Sequence, residues 1–237
     1  MPRPTVDQLH HSGRFSLLES FHIDEMTLFI FRELGMKPPQ AGTKERPRLT
    51  VRSVIVFLLM AGAGGIVGYF LGHWLKGPTS GAAGFWQLVA VLPLLLVLLV
   101  VHEGIHALVF LGLGARDVGF GYSRKGLMVY AYSQRFVMAL RENALVAAMP
   151  FLVITTGLAL ALVLLPEYRI LLGLTLLLHT FGCLGDFALI RHWWKARRRA
   201  MYTYDDLTEK RTYFFEEKPA AETPHEPASC EATSAGR

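Results

Sequence analysis

Charge and cysteine are both scarce in this sequence of 237 residues. Asp, Glu, Lys and Arg make up 18% of the chain, against 52% hydrophobic residues, whereas soluble domains carry about 25% charged residues. The two cysteines, Cys183 and Cys230, are too few for a disulfide framework or a thiolate metal cluster. The first fourteen residues lack an apolar run behind a basic start, so we expect no cleaved signal peptide. These absences argue against a secreted or an ordinary soluble protein.

Long apolar runs take the place of charge. Four windows are long enough to cross a hydrocarbon core of about 30 Å as helices: Ser53 to Leu75, Gly77 to Gly114, Asn143 to Pro166 and Ile170 to Ile190. The predicted fold class is therefore an all-α membrane protein with four transmembrane helices. Between the second and third windows, VGFGYSRKGLMVYAYS alternates in its first half and has a turn-like SRKG, which predicts a small β-hairpin over residues 118–132.

The basic residues are unevenly spread along the chain. Eight lie between Arg3 and Arg52, five between Arg116 and Arg141, and nine from Arg191 onward, against one in each of the two short loops. The positive-inside rule then places both termini and the 115–142 loop in the cytoplasm. We expect a multi-pass protein of the bacterial inner membrane. Its net charge of +5 follows from this topology and from attraction to lipid headgroups, so no nucleic-acid partner is expected.

Three segments are predicted. Residues 1–50 form a cytoplasmic or interfacial N-terminal segment, in which the partly amphipathic run FSLLESFHIDEMTLFIFREL is expected to be a helix. Residues 51–192 form the four-helix transmembrane domain. Residues 193–237 form a basic juxtamembrane segment and a cytoplasmic tail, expected to be disordered because the sequence turns polar after about residue 201.

The sequence HEGIH, residues 102–106, sets three polar groups inside the second window. Such groups are costly in hydrocarbon, so a function is the default explanation. His102 and His106 are four residues apart and share one helix face, where both imidazoles can bind a single Zn²⁺. Glu103 lies beside the first ligand and is placed to act as a general base. Iron and manganese remain open alternatives to zinc.

Asp186 is the candidate third ligand. Counted inward from Phe85 and Tyr168, His102 lies 17 residues deep, His106 lies 21 and Asp186 lies 18. At 1.5 Å per residue, all three fall within about 6 Å in depth. His179 is the competing ligand on the same face as Asp186, but it lies about 10 Å nearer the outer surface, so an accessory hydrogen-bonding role suits it better.

Other interpretations of these residues are less demanding. Cys183 suits ligation chemically, yet a buried cysteine is more often an inert small hydrophobe. The four polar groups could also form a fully hydrogen-bonded network that only holds helices together; these are His102, Glu103, His106 and Asp186. For an oxyanion stabiliser, Asn143, Arg141 and the tyrosines 130 and 132 are candidates, although anchoring at the membrane interface also explains them. Asn143 is kept as a possible accessory residue.

With HEGIH in the second helix and a carboxylate in the fourth, the chain resembles the zincin peptidases, a family of small bacterial membrane proteins. More distantly it is similar to the site-2 intramembrane metalloproteases. The resemblance covers roughly residues 50–192. It implies that His102, His106 and Asp186 are zinc ligands and that Glu103 is the catalytic base. Site-2 proteases usually place the ligand aspartate before a glycine in an Asn/Pro-containing segment, whereas Gly185 precedes Asp186 here. In those proteases a strand near the active site is thought to pair with substrate, a role open to the 118–132 hairpin.

The predicted function is therefore a zinc-dependent membrane peptidase. It would hydrolyse peptide bonds of membrane-associated proteins near the cytoplasmic side, with a membrane protein or peptide and the lipid bilayer as its partners. The alternative is a non-catalytic membrane metal-binding or scaffold protein. Glu103 discriminates between them, because a structural site needs ligands but no base. Substrate identity and oligomeric state do not follow from the sequence.

Overall fold

The computed structural model describes residues 3–35, 81–123 and 128–218, and the first predicted membrane helix, Ser53 to Leu75, lies outside them. Helices and strands alternate along the described chain. In order they are α1 (Val6–His11), β1 (Phe15–His22), α2 (Met26–Leu34), α3 (Gly81–Gly112), β2 (Val118–Ser123), β3 (Met128–Ser133), β4 (Met138–Ala139), α4 (Leu140–Leu164), α5 (Arg169–Gly182), α6 (Leu184–Ala196), β5 (Met201–Asp206) and β6 (Arg211–Glu217).

Two helices are long and apolar enough to cross a membrane, Gly84–Gly112 within α3 and Leu140–Leu164, which is α4. A third crossing is possible if α5 and α6 form one span, bent by 49° at their junction. Side chains from α3, α4 and α5 pack together around Ile154, Leu158 and Leu172. Much of the outer surface of α3 and α4 is nevertheless exposed and apolar, as it would be against lipid. These helices are compatible with a membrane protein.

A four-stranded antiparallel sheet, in the order β1-β6-β5-β4, is built from both ends of the described chain. One face packs on α2 and α6 through Phe21, Phe29, Met201 and Phe214, together with small helix residues such as Ala188. The other face packs on α1 through a cluster of Leu9, Phe15, Val137, Tyr204, Tyr213 and Phe215. Alternation of large apolar side chains along β5 and β6 supplies both faces.

Two glycines shape the separate β2–β3 hairpin. Gly121 pairs with Tyr130 and Gly119 with Tyr132, and each tyrosine ring lies across the glycine opposite. A Cβ at Gly121 would lie 2.5 Å from Cζ of Tyr130, and one at Gly119 would lie 2.6 Å from the Tyr132 hydroxyl oxygen. Any side chain at either position would displace a ring. The hairpin predicted over 118–132 is present.

Helix α2 is fastened to α6 by a buried carboxylate. Glu33, 6% exposed, accepts hydrogen bonds from Nζ of Lys195 at 2.7 Å and from Nδ1 of His192 at 3.3 Å. Ile30 lies close to α6 as well, because its Cδ1 would be 3.6 Å from a Cβ at Gly185. The N-terminal segment is therefore held against the helix that carries Asp186.

The prediction of an all-α protein with four spans is wrong. The described residues contain two sheets and two candidate membrane helices, or three if the bent pair is one span. Within the run expected to be one N-terminal helix, Phe15–His22 is a strand and only Met26–Leu34 is α-helical. The strand pairs with β6, about 200 residues later, so a local sequence pattern did not show its partner.

The expectation of disorder after residue 201 is wrong for residues 201–217. Met201–Asp206 and Arg211–Glu217 pair as an antiparallel hairpin. The segments MYTYDD and RTYFFEE are rich in aromatic and β-branched residues around a polar turn, a strand signal that was visible in the sequence. The boundaries drawn at residues 50 and 192 remain predictions.

Candidate metal centre

His102 and His106 lie on one face of α3, one turn apart. Their Nε2 atoms are 3.2 Å from each other, and their ring centroids are 4.8 Å apart. Nδ1 of His106 lies 3.0 Å from the carbonyl oxygen of Val146 on α4. Donation from Nδ1 to this carbonyl leaves Nε2 with its lone pair, the tautomer that a metal ligand requires.

Asp186 reaches the same point from the first turn of α6. Its Oδ2 lies 3.2 Å from Nε2 of His102, and its Oδ1 lies 3.4 Å from Nε2 of His106. Two ligands bound at about 2.0–2.1 Å to a tetrahedral zinc ion lie about 3.3 Å apart. The three side chains therefore fit one face of a tetrahedral zinc site, with the fourth position facing away from them. The donor atoms of all three lie within 4.8 Å of one another.

The bend between α5 and α6 lets Asp186 point at α3. Helix α5 ends at Gly182 and α6 begins at Leu184, with Cys183 between them. The N–H of Cys183 donates to the carbonyl of His179 at 3.1 Å, which caps α5. The predicted fourth helix, Ile170 to Ile190, is thus two helices that meet at 49°.

Glu103 is buried beside the two histidines, with 7% of its surface exposed. Its Oε2 accepts a hydrogen bond from the backbone N–H of Ala131 at 2.6 Å. Ala131 pairs with Phe120 in the hairpin, and an N–H that reaches Glu103 points away from that partner strand. The free edge of β3 therefore faces the carboxylate predicted to act as a base.

A cavity of about 450 Å³ adjoins these residues. His102, Glu103, His106 and Asp186 form its polar wall. Apolar walls come from α3, through residues such as Leu95 and Leu98, and from the N-terminal segment, through Ile23, Met26 and Ile30. Four successive residues of β3, Val129 to Tyr132, also line it. Its size and mixed walls are those of a small-molecule or peptide site.

A second polar region lies at the sheet side of the cavity. Asp205 and Thr212 line it, and the Thr212 hydroxyl donates to Oδ1 of Asp205 at 2.7 Å. Burial raises the pKa of Asp205. The pKa of Tyr130 is raised by burial and by the nearby carboxylates of Asp205 and Asp24, so its hydroxyl stays neutral and able to donate.

The accessory candidates lie close to the same cavity. Asn143 lines it, and Arg141 is exposed on α4. His179 is buried, and its ring centroid lies 5.7 Å from that of His102. The sequence-based prediction missed the Val146 carbonyl and the Ala131 N–H, because backbone groups leave no residue-type signal. It also missed the N-terminal wall, although the apolar face of α2 was a usable hint.

Residues 95–201 match the model of a family described as "Putative zincin peptidase". This region of the chain is therefore similar to that family's domain. It contains HEGIH, the hairpin and Asp186, so the recognition made from HEGIH is confirmed, and the family indicates a zinc metallopeptidase. No curated protein and no solved structure matches the chain significantly. The more distant similarity to site-2 proteases remains a prediction.

Proposed function

We propose that this protein is a zinc-dependent, membrane-embedded peptidase that cleaves membrane-associated proteins near the cytoplasmic side. One observation carries the proposal: Nε2 of His102, Nε2 of His106 and the Asp186 carboxylate converge with tetrahedral spacing, and Glu103 stands beside them in a cavity wall. The family match independently indicates zinc peptidase chemistry.

The chain's own residues have distinct parts in this reaction. A bound zinc ion supplies Lewis-acid polarisation of the scissile carbonyl and activation of water. His102, His106 and Asp186 hold the ion. Glu103 accepts the proton of the attacking water at its carboxylate and passes it to the leaving amine. The N–H of Ala131, 2.6 Å from Oε2, orients that carboxylate.

The free edge of β3 supports an extended substrate. Within the described residues, β3 pairs only with β2, so the other edge can accept a peptide strand by backbone hydrogen bonds. Pairing along this edge would lay the peptide beside Glu103. The apolar walls from α2 and α3 would then accept apolar side chains, which suits segments drawn from a membrane protein.

The depth of the site favours cleavage near one membrane surface. His106 lies six residues before the end of α3 at Gly112, which is about 9 Å along the helix. The hairpin and the sheet adjoin this end. The loop of residues 115–142 is rich in Lys and Arg, and the positive-inside rule places it in the cytoplasm.

Comparison of wild type with Glu103→Gln tests the proposal. Cells expressing each form at equal level are compared by sequencing the N-termini of their membrane proteins. We expect new N-termini in wild-type cells that are missing with Glu103→Gln, while purified samples of both forms hold close to one zinc per chain. Identical N-termini in both strains, with zinc bound in both proteins, would instead identify a non-catalytic metal-binding or scaffold protein.

A further inference from the structure

The reaction proposed above gives no role to two buried donor groups beside the catalytic site. Cys183 is 1% exposed and His179 is 7% exposed. Both belong to the junction of α5 and α6, one turn or two before Asp186. Thiolate and imidazole are the donors that zinc and related soft divalent ions prefer.

The spacing of these two groups fits a single ion. Sγ of Cys183 lies 3.6 Å from Nε2 of His179. With Zn–S at about 2.3 Å and Zn–N at about 2.0–2.1 Å, tetrahedral ligands of these types lie about 3.5 Å apart.

His102 supplies the third donor. Its ring meets that of His179 edge to face at 5.7 Å between centroids. One donor atom each from His102, His179 and Cys183 lies within 4.8 Å of the others. His102 also belongs to the group with His106 and Asp186. Two three-donor groups therefore overlap at one imidazole.

The helix junction fixes this second group in place. Cys183 directly follows α5 and donates its N–H to the His179 carbonyl at 3.1 Å, and this bond keeps the two side chains one turn apart. The same junction sets the direction of Asp186 at the start of α6. Both groups of donors thus depend on one bend in the backbone.

We propose that His102, His179 and Cys183 form a second position for a thiophilic divalent cation such as Zn²⁺, Co²⁺ or Cd²⁺. Binding there displaces the thiol proton of Cys183 to solvent, and the thiolate bonds to the ion. Because His102 is shared, one ion per chain occupies either position and not both. An ion at the second position is not ligated by His106 and Asp186. The protein with its ion in this position is inactive. Metal binding at this position does not depend on peptidase activity; only the consequence of inactivity rests on the proposed function.

Cobalt titration of the metal-stripped, full-length protein in detergent tests this proposal. Thiolate ligation gives Co²⁺ a strong near-ultraviolet charge-transfer band, whereas imidazole and carboxylate ligation do not. We expect the charge-transfer band in wild type and its loss in Cys183→Ser. His106→Ala can use only the second position, so its band should be at least as intense as that of wild type. Total binding should be one cobalt per chain in wild type.

Several outcomes overturn the inference. No charge-transfer band in either wild type or His106→Ala would mean that Cys183 is not a ligand. Two cobalt ions per wild-type chain would refute the sharing of His102. If His106→Ala does not fold, the difference between the wild-type and Cys183→Ser spectra still decides. A Cys183→Ser protein that binds no cobalt while wild type keeps the band would contradict the catalytic position instead, so the two failures are distinguishable.

Discussion

The backbone N–H of Ala131 donates to Oε2 of Glu103 across 2.6 Å, which couples the hairpin edge to the carboxylate beside the metal ligands. Ala131→Pro removes this donor. We expect zinc content to be unchanged and hydrolysis to fall at least about tenfold, because one charge-assisted hydrogen bond is worth about 1.5–3 kcal/mol. Cleavage of a substrate identified by N-terminal sequencing measures the effect.

Val129→Pro is the matched control for the hairpin edge. Because backbone groups alternate in direction along a strand, the Val129 N–H points the same way as the Ala131 N–H. The substitution Val129→Pro therefore removes a donor from the free edge of β3 but keeps the hydrogen bond between Ala131 and Glu103. If substrate pairs with this edge, Val129→Pro also raises KM. An unchanged KM in Val129→Pro would leave Ala131 with an orienting role alone and sink strand pairing.

Glu103→Gln keeps the shape of the side chain and removes its basicity. We expect zinc content close to wild type and a fall in turnover of about 10²–10⁴, the usual contribution of a general base. Elemental mass spectrometry and single-turnover cleavage measure the two quantities. Glu167→Gln, at an exposed position in a short loop, is the control. Full turnover in Glu103→Gln would refute the assignment of the base.

Asp186→Asn removes one anionic ligand at nearly constant volume. Changes one step further from a metal already cost about 10–100-fold in affinity, so we expect a larger loss here. Competition with a chelator of known affinity measures it. Asp117→Asn, which alters an exposed carboxylate, should leave affinity unchanged. Wild-type affinity in Asp186→Asn would mean that this carboxylate is a helix-packing residue.

Gly121→Ala should disturb the cavity wall through Tyr130. The added Cβ would meet the ring at 2.5 Å, and overpacking of this kind costs about 1–3 kcal/mol. We expect faster hydrogen exchange in β2 and β3 and reduced cleavage. Gly157→Ala is the control, since nothing lies within 4 Å of its Cβ position. Equal exchange in both variants would show that the ring moves aside without cost.

Neighbouring carboxylates on β5 should respond to pH in opposite ways. Burial raises the pKa of Asp205, so its contribution to stability falls as pH rises above about 4, its unfolded pKa. Burial also acts on Asp206, but hydrogen bonds from Gln134 and from the N–H groups of Thr208 and Glu209 outweigh it and lower its pKa. That contribution is present above about pH 4 and is lost as pH falls through the lowered pKa.

Substitution by asparagine separates these two contributions. At pH 7 we expect Asp205→Asn to raise Tm, since the amide still accepts from Thr212 and carries no charge. Asp206→Asn should lower Tm. Both differences in Tm from wild type should become smaller as the pH falls. The difference for Asp205→Asn should begin to shrink at a higher pH than that for Asp206→Asn. Thermal unfolding in detergent between pH 3 and about 8 tests this, and a Tm shift of the same sign in both variants would contradict the assignment.

The metal centre was more predictable than the fold. HEGIH needs only a helical repeat to bring His102 and His106 together, and a constant helical rise allowed the depth of Asp186 to be compared with theirs. The hairpin was also predictable, since its strands and turn are contiguous. These features depend on short-range geometry, which a single sequence records well.

The sheet was not predictable in the same way. Phe15 pairs with Glu217, and no local pattern connects residues so far apart. The bend at Cys183 was missed because no proline marks it between Ile170 and Ile190, although Gly182 and Gly185 flank it. Pairing of distant strands and the direction of a helix break are set by tertiary contacts.

The pairing of β1 with β6 has a consequence for biosynthesis. The ribosome makes Phe15–His22 early and Arg211–Glu217 about 200 residues later, so β1 must wait for its partner while the intervening helices are made and inserted. Until then, Ile23, Met26 and Ile30 are not held in place as a cavity wall by the sheet. The nascent chain would therefore acquire its complete cleft only after β6 has been made and has paired with β1.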